Sequence, residues 1–285
     1  ALRAEDDLRA RSEDSVLASD LAHVAQAQLD AGTGIALDVT RAQAQLASTR
    51  AGLIASRASR DRTLIALARA LNVPSHTPLT LSDSLGGMDT TAITTDEATA
   101  TQRALQNRPD LRAAQARIMA AQQSVSAIRA EWLPTLSLVG DDGVNGLSVH
   151  HMLNTYEYGL ELSMPILDGF RRSGRVQEQQ GVVREAQVQQ HDIEQQAAAD
   201  VSTAILDLRA ASQQVQATRE QLRLAEQEVS QARERFRAGV AGNADVITAL
   251  LQLTSVRTAV IDALTNFQTA RVALARAQGV VTTLP

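Results

Sequence analysis

The chain has 285 residues and no cysteine, and its 27 basic residues, all arginine, face 32 acidic ones for a net charge of −5. Disulfides, thiol catalysis and thiolate metal sites are excluded, and the mixed charge gives no support to a nucleic-acid surface. Hydrophobic residues make up 44% but aromatics only 2%, too few bulky side chains for a compact globule and enough for long helices packed through alanine.

Taken in order, a first helix is expected over 1–29, leading into a turn at 31–34. Its start lacks the apolar core of a signal peptide, so the chain reads as cytosolic or as a mature or shortened exported protein. A second helix fits 38–72, where Asp38 can cap the amino end and Pro74 lies just past the carboxyl end. Residues 73–98 break the pattern with two prolines, a glycine pair and many hydroxyls, leaving room for a short strand at 79–81. A third helix opens near Asp96, is interrupted before Pro109 and resumes from Asp110 to about Trp132. The fourth, 172–237, is the longest, and at 1.5 Å per residue it would extend about 95–100 Å. The fifth spans about 245–278. No run of 18 apolar residues occurs, so no membrane-spanning helix is expected.

The chain repeats itself. Residues 31–73 recur without a gap as 238–280, and Ala31, Gly32, Asp38, Val39, Ala42, Gln45, Leu46, Arg50, residues 66–70 and Val73 are identical in both copies. Each copy reads as the end of one long helix, a glycine-marked turn, an aspartate cap and a second long helix. Such spacing means two copies of an elongated helical hairpin rather than a short-period solenoid.

A heptad register runs along these helices. Val201, Leu208, Val215, Leu222, Val229 and Phe236 recur every seventh residue, with Ala204, Ala211, Thr218, Ala225 and Ala232 between them. The fifth helix repeats the scheme with Val246, Leu253, Val260, Phe267 and Leu274. The third carries Leu111, Ile118, Val125 and Trp132, and the second Val39, Leu46, Leu53 and Leu67, with Arg60 as a defect. A strict seven-residue repeat implies left-handed coiled coils, here antiparallel hairpins. The expected fold is therefore mainly α.

One stretch obeys a different period. In 156–166, Tyr156, Tyr158, Leu160, Leu162, Met164 and Ile166 alternate with Glu157, Gly159, Glu161, Ser163 and Pro165. Eleven residues at period two match one tilted strand crossing a bilayer, or an amphipathic hairpin on a soluble protein. Residues 133–139 give a shorter partner, joined by a polar, glycine-rich loop. Four of the six aromatics, Trp132, Tyr156, Tyr158 and Phe170, lie here, placed as membrane-interface aromatics would be.

Enzymatic chemistry finds no constellation. His23, His76, His150, His151 and His191 are scattered, and adjacent His150 and His151 do not make a complete metal site. No phosphate loop, nucleophile elbow or dinucleotide fingerprint occurs, and no cofactor or catalytic residue is expected.

Four segments together carry a family resemblance: NRPDL at 107–111, WLPTLSL at 132–138, YEYGLELSMPILDG at 156–169 running into RRSGRVQEQQ, and RFRAGVAGNADVITA at 235–249. In order and spacing they resemble the TolC family of trimeric outer-membrane efflux and secretion ducts. The resemblance covers nearly the whole chain. It implies a short β-hairpin that joins a trimeric barrel in the outer membrane of a Gram-negative bacterium. Most of the chain would then form a tunnel wall in the periplasm. It divides the chain into a first periplasmic hairpin (1–72), a mixed equatorial segment (73–98), a tunnel helix (99–132), the outer-membrane β-hairpin (133–168) and a second periplasmic hairpin (169–285).

The implied function is passive export in a tripartite efflux or type I secretion system, with no enzymatic step. The implied partners are two further copies, outer-membrane lipid, a periplasmic adaptor protein and an inner-membrane pump. Carried over by position, the turns at Gly32, Thr33, Gly239 and Val240 would dock the adaptor. Asp38 and Asp245, with Thr248 where some members have a second aspartate, would line the aperture. A latching arginine of some members is replaced by Ala241.

By the repeat offset, residue 1 corresponds to residue 208, so the first copy lacks its strands and half its long helix. Three such chains would not close the usual barrel, and a fragment or a degenerate member is expected. The rival reading is a soluble periplasmic coiled-coil adaptor or scaffold.

Overall fold

The computed structural model describes residues 1–87, 96–148 and 150–281. Six helices and one β-hairpin follow in the order α1 (Leu2–Asp30), α2 (Ala36–Ala70), α3 (Glu97–Asn107), α4 (Pro109–Ala130), β1 (Thr135–Asn145), β2 (Leu153–Ser163), α5 (Arg171–Arg237) and α6 (Asn243–Ala277), with one 3-10 turn at Leu85–Gly87. The mainly α expectation is met.

The sequence repeat is also a structural repeat. The helix ends Asp30 and Arg237, the starts Ala36 and Asn243, and the ends Ala70 and Ala277 are each 207 positions apart. The same offset relates Gly32 to Gly239 and Asn72 to Gly279, all four with φ between 56° and 73°. Each closes its helix as a Schellman motif, with paired bonds such as Thr33 N to Gln28 O and Gly32 N to Leu29 O.

Two local expectations need correction. Asp38 and Asp245 are not caps: α2 starts after Ile35 and α6 after Gly242, both extended and without a side-chain cap bond. Each aspartate lies in the first turn, where its carboxylate faces the positive end of the helix dipole instead. Residues 79–81 form no strand. Of the 73–98 segment, residues 88–95 lie outside the described residues.

The chain divides into two compact units, residues 1–100 with 200–285, and residues 101–199. In the first, α1 and α2 form one hairpin, and the end of α5 with α6 forms the other. Their shared core joins Leu21, Ala25, Val39, Ala42, Ala225, Val229, Phe236, Val246, Ala249, Leu250, Leu253 and Val256. Every heptad position from Val246 to Ala277 on α6 is buried, and so are Leu250, Ile261, Leu264 and Ala275 beside them. By length and composition α6 could pass for a membrane span. Many of its apolar residues, though not Leu251 or Val272, instead form two buried stripes.

Polar groups interrupt that seam in matched sets. Asp14, 6% exposed, accepts from Thr254 Oγ1 at 2.7 Å and from Arg257 Nη1 at 2.6 Å, while Arg257 also reaches Glu13 at 2.9 Å. Ser56 donates to Asp7 at 2.7 Å. The Arg60 defect is answered by Asp61 at 3.1 Å and Glu5 at 4.0 Å.

In the second unit α4 buries Leu111, Ala114, Ile118, Ala121 and Val125 in the expected register. Trp132 leaves that register because α4 ends at Ala130, and its side chain is 45% exposed. Pro109 separates α3 from α4. Across the break Arg108 clamps Asp110, donating from Nε at 3.1 Å and from Nη2 at 2.7 Å. The hydrogen bond from Arg108 holds the Asp110 carboxyl below its usual value, aided by its charge. This contribution is present above about pH 4 and is lost as pH falls through the lowered value. The pair is partly exposed, so Asp110→Asn should cost under about 1 kcal/mol at pH 7. In thermal melts, the gap to the parent protein should close as the pH is lowered toward 3.

β1 and β2 pair antiparallel from Thr135–Ser163 to Asn145–Leu153. Pairing lengthens β1 well past the expected 139, through Gly140 to Asn145, because the ladder with β2 satisfies backbone groups that the sequence read as loop. β2 runs over 153–163 rather than 156–166. A Cβ on Gly140 would come 3.0 Å from the Tyr158 ring, so any larger residue there would push that exposed ring aside.

Candidate functional site: the paired hairpin turns

Both hairpins of the first unit end side by side. Their turns enclose a cleft of about 530 Å³ lined by Gln28, Thr33, Gly34, Ile35 and Asp38 from one hairpin and by Phe236 to Gly242 from the other. The geometry is built from the sequence repeat. Gly32 and Gly239 take φ of 73° and 71°, which only glycine adopts without cost, and reverse the chain after each long helix. In the first turn Gln28 O collects Thr33 N at 2.9 Å, Gly34 N at 2.8 Å and Thr33 Oγ1 at 3.1 Å. A Cβ on Gly34 would lie 2.9 Å from Leu29 N, so that position admits no side chain without a backbone shift.

Two amides bolt the turns together. Gln28 Nε2 donates to Phe236 O at 3.1 Å, and Asn243 Nδ2 to Asp38 O at 2.6 Å. Asn243 is fully buried, and at the matching place in the other copy stands Ala36. Below them Arg233 reaches Asp20 at 3.3 Å. Neither amide was singled out from sequence. The usable signal for Asn243 was a polar residue replacing an apolar one between repeat copies.

The outer surface of the turns mixes small and apolar residues with exposed Asp30, Thr33 and Arg237. Ile35, Leu37 and Val240 are 57%, 51% and 71% exposed beside Ala31, Gly32, Ala238 and Gly239. Of the expected residues, Thr33, Gly239, Val240 and Asp38 line the cleft. Gly32 is exposed at the first turn. Asp245 and Thr248 stand one turn apart on the exposed side of α6, and Thr248 Oγ1 bonds back to Ala244 O at 2.9 Å.

The expected aromatics lie in the second unit, on and below the β-hairpin. The register puts Leu136, Leu138, Leu160, Leu162, Tyr156 and Tyr158 on one face and Ser137, Asp141, Glu157 and Glu161 on the other. The aliphatic face is open: Leu138 and Leu160 are 80% and 73% exposed. Tyr156 and Tyr158 stack 6.1 Å apart toward the hairpin loop. Trp132 lies at the other end, with the Arg172 guanidinium 5.5 Å over its ring. Phe170 is 86% exposed at the start of α5.

Comparison with known proteins identifies a family for this chain. Residues 100–280 match the family model for outer membrane efflux proteins. The chain belongs to that family. It is 34% identical to Protein CyaE of Bordetella pertussis over 274 residues, 90% of this chain and 55% of that protein. It is 26% identical to the outer membrane efflux protein BepC of Brucella suis over 262 residues, 90% of this chain and 56% of that protein. The chain thus spans about half the length of the curated relatives it matches. Among solved structures, CusC superposes with a TM-score of 0.80 at 19% identity, over 98% of this chain and 65% of that one. The outer membrane protein VceC of Vibrio cholerae gives 0.72 at 20% identity, over 98% and 66%. These likenesses establish the fold of an outer-membrane channel protein, and the soluble adaptor or scaffold reading is set aside.

Proposed function

We propose that this chain supplies tunnel wall and barrel strands to a trimeric outer-membrane export duct that opens toward an inner-membrane pump through a periplasmic adaptor. One observation carries the reading: two hairpin turns built on the same Schellman geometry are bolted into a single solvent-facing surface that presents exposed apolar side chains between glycines. Ile35, Leu37 and Val240 there suit a helical hairpin of an adaptor, which buries apolar side chains between glycines. Exposed Ile54 and Ile65 on α2, 68% and 52% open, suit the packing of neighbouring protomers. The open aliphatic face of the β-hairpin suits lipid, and its carboxylate face suits the lumen. Asp38 and Asp245, repeated by threefold symmetry, would ring the aperture with carboxylates and favour cations. In this role the protein is a conduit rather than an enzyme, and the driving energy comes from the pump.

The test is a photo-crosslinking residue at Val240 of the full-length protein in cells, with exposed Leu206 as control position. Crosslinking of Val240, and not of Leu206, to a periplasmic protein with a helical hairpin is expected. Equal labelling at both positions, or none at Val240, would remove the docking role.

A further inference from the structure

The base of the β-hairpin collects positive charge in a chain that is acidic overall. Between Arg129 and Arg171 there is no arginine or lysine, while the hairpin holds Asp141, Asp142, Glu157 and Glu161. Four arginines then flank the end of α4 and the start of α5: Arg129, Arg171, Arg172 and Arg175. Two carboxylates answer two of them. Glu131 takes Arg175 at 2.7 Å, and Arg172 lies 3.7 Å from Glu131 and 3.5 Å from Asp168. Arg129 and Arg171 are exposed and have no acidic partner among the described residues. The cluster keeps a surplus of two positive charges.

Apolar side chains surround that surplus. Leu133, Met164, Ile166, Leu167 and Phe170, which lie just beyond the strand ends, are 60% to 94% exposed. Phe170 has a φ of 65°, a left-handed backbone that a phenylalanine rarely adopts. Guanidinium groups bordering exposed apolar side chains are the chemistry of a membrane interface, where the stems and rings enter the acyl layer and the charges meet phosphates. A protein partner of matching acidity would not need so continuous an apolar border.

We propose that this collar binds the headgroup phosphate of anionic phospholipids, with Arg129 and Arg171 as the phosphate ligands and Leu167 and Phe170 seated in the adjoining acyl region. Glu131 and Asp168 hold Arg172 and Arg175 in place and leave the outer pair to the lipid. The proposal rests on the reading of β1 and β2 as membrane-crossing strands.

Trp132 is the sole tryptophan of these 285 residues and lies against Arg172 of the collar, so with any tryptophan elsewhere in the full-length protein replaced by phenylalanine its fluorescence reports this site. The full-length protein is reconstituted into phosphatidylcholine vesicles carrying either brominated phosphatidylglycerol or brominated phosphatidylcholine as quencher. Each arginine near an anionic surface contributes about fivefold in lipid affinity. The phosphatidylglycerol quencher should therefore act at a several-fold lower mole fraction than the phosphatidylcholine one. Arg129→Gln with Arg171→Gln should erase that preference and leave quenching by phosphatidylcholine unchanged. Equal quenching by the two lipids in the parent protein, or a preference that survives both substitutions, overturns the proposal alone. Quenching by neither lipid overturns the membrane placement of the hairpin and the proposal with it.

Discussion

Replacing Phe267 by alanine is expected to cost about 3–5 kcal/mol, the range for a fully buried phenylalanine whose cavity collapses only partly. Phe267 is 2% exposed and among the largest fully buried side chains of the chain. It occupies a heptad position on α6, the helix that α1, α2 and the 3-10 turn at Leu85–Gly87 all pack against. Few aromatics serve this core, so no neighbouring ring can swing in to refill the space. Phe267→Leu keeps most of the volume and should cost less than half as much. The shift in urea midpoint by far-ultraviolet circular dichroism measures both. A loss below about 1 kcal/mol for the alanine variant would mean that α6 is not the buried centre of its unit.

Asp14→Leu should cost about 2–4 kcal/mol. It strands the Thr254 hydroxyl and leaves Arg257, whose side chain is 15% exposed, with Glu13 alone. Removing one member of a buried pair leaves the other desolvated and unpaired, which costs more than the pair contributes net. The double variant Asp14→Leu with Arg257→Met should therefore be more stable than Asp14→Leu. Chemical denaturation of the three proteins decides this, and additive losses would show that the two side chains are not coupled.

The helical part of this fold was legible because its signal is local and periodic. A heptad of alternating large and small residues determines which face is buried whatever the partner, so Val246 to Ala277 could be assigned from sequence alone. The repeat did the same for the turns, since Gly32 and Gly239 must take a left-handed φ wherever the hairpin goes. Legibility failed where a contact joins distant residues. Nothing near Asp14 announces Arg257, and β1 could not be followed past Val139 because Gly140 to Asn145 become strand only by pairing with β2. Asp38 misled for a physical reason. An aspartate near a helix start satisfies the positive terminus equally from the cap or from the first turn, and only the extended backbone of Ile35 separates the two. The roles of the tip turns and aspartates came from resemblance, and the paired cleft now gives them a surface on which they can be tested.

A chain that walls a conduit should pass ions across a bilayer. Single-channel recording of the full-length protein in planar bilayers tests it most directly. Discrete conductance steps are expected, with a reversal potential favouring cations under a salt gradient, shifted toward neutrality when Asp38→Asn and Asp245→Asn are combined. Protein that inserts into the bilayer and remains electrically silent, in the parent and in the double variant, would contradict it.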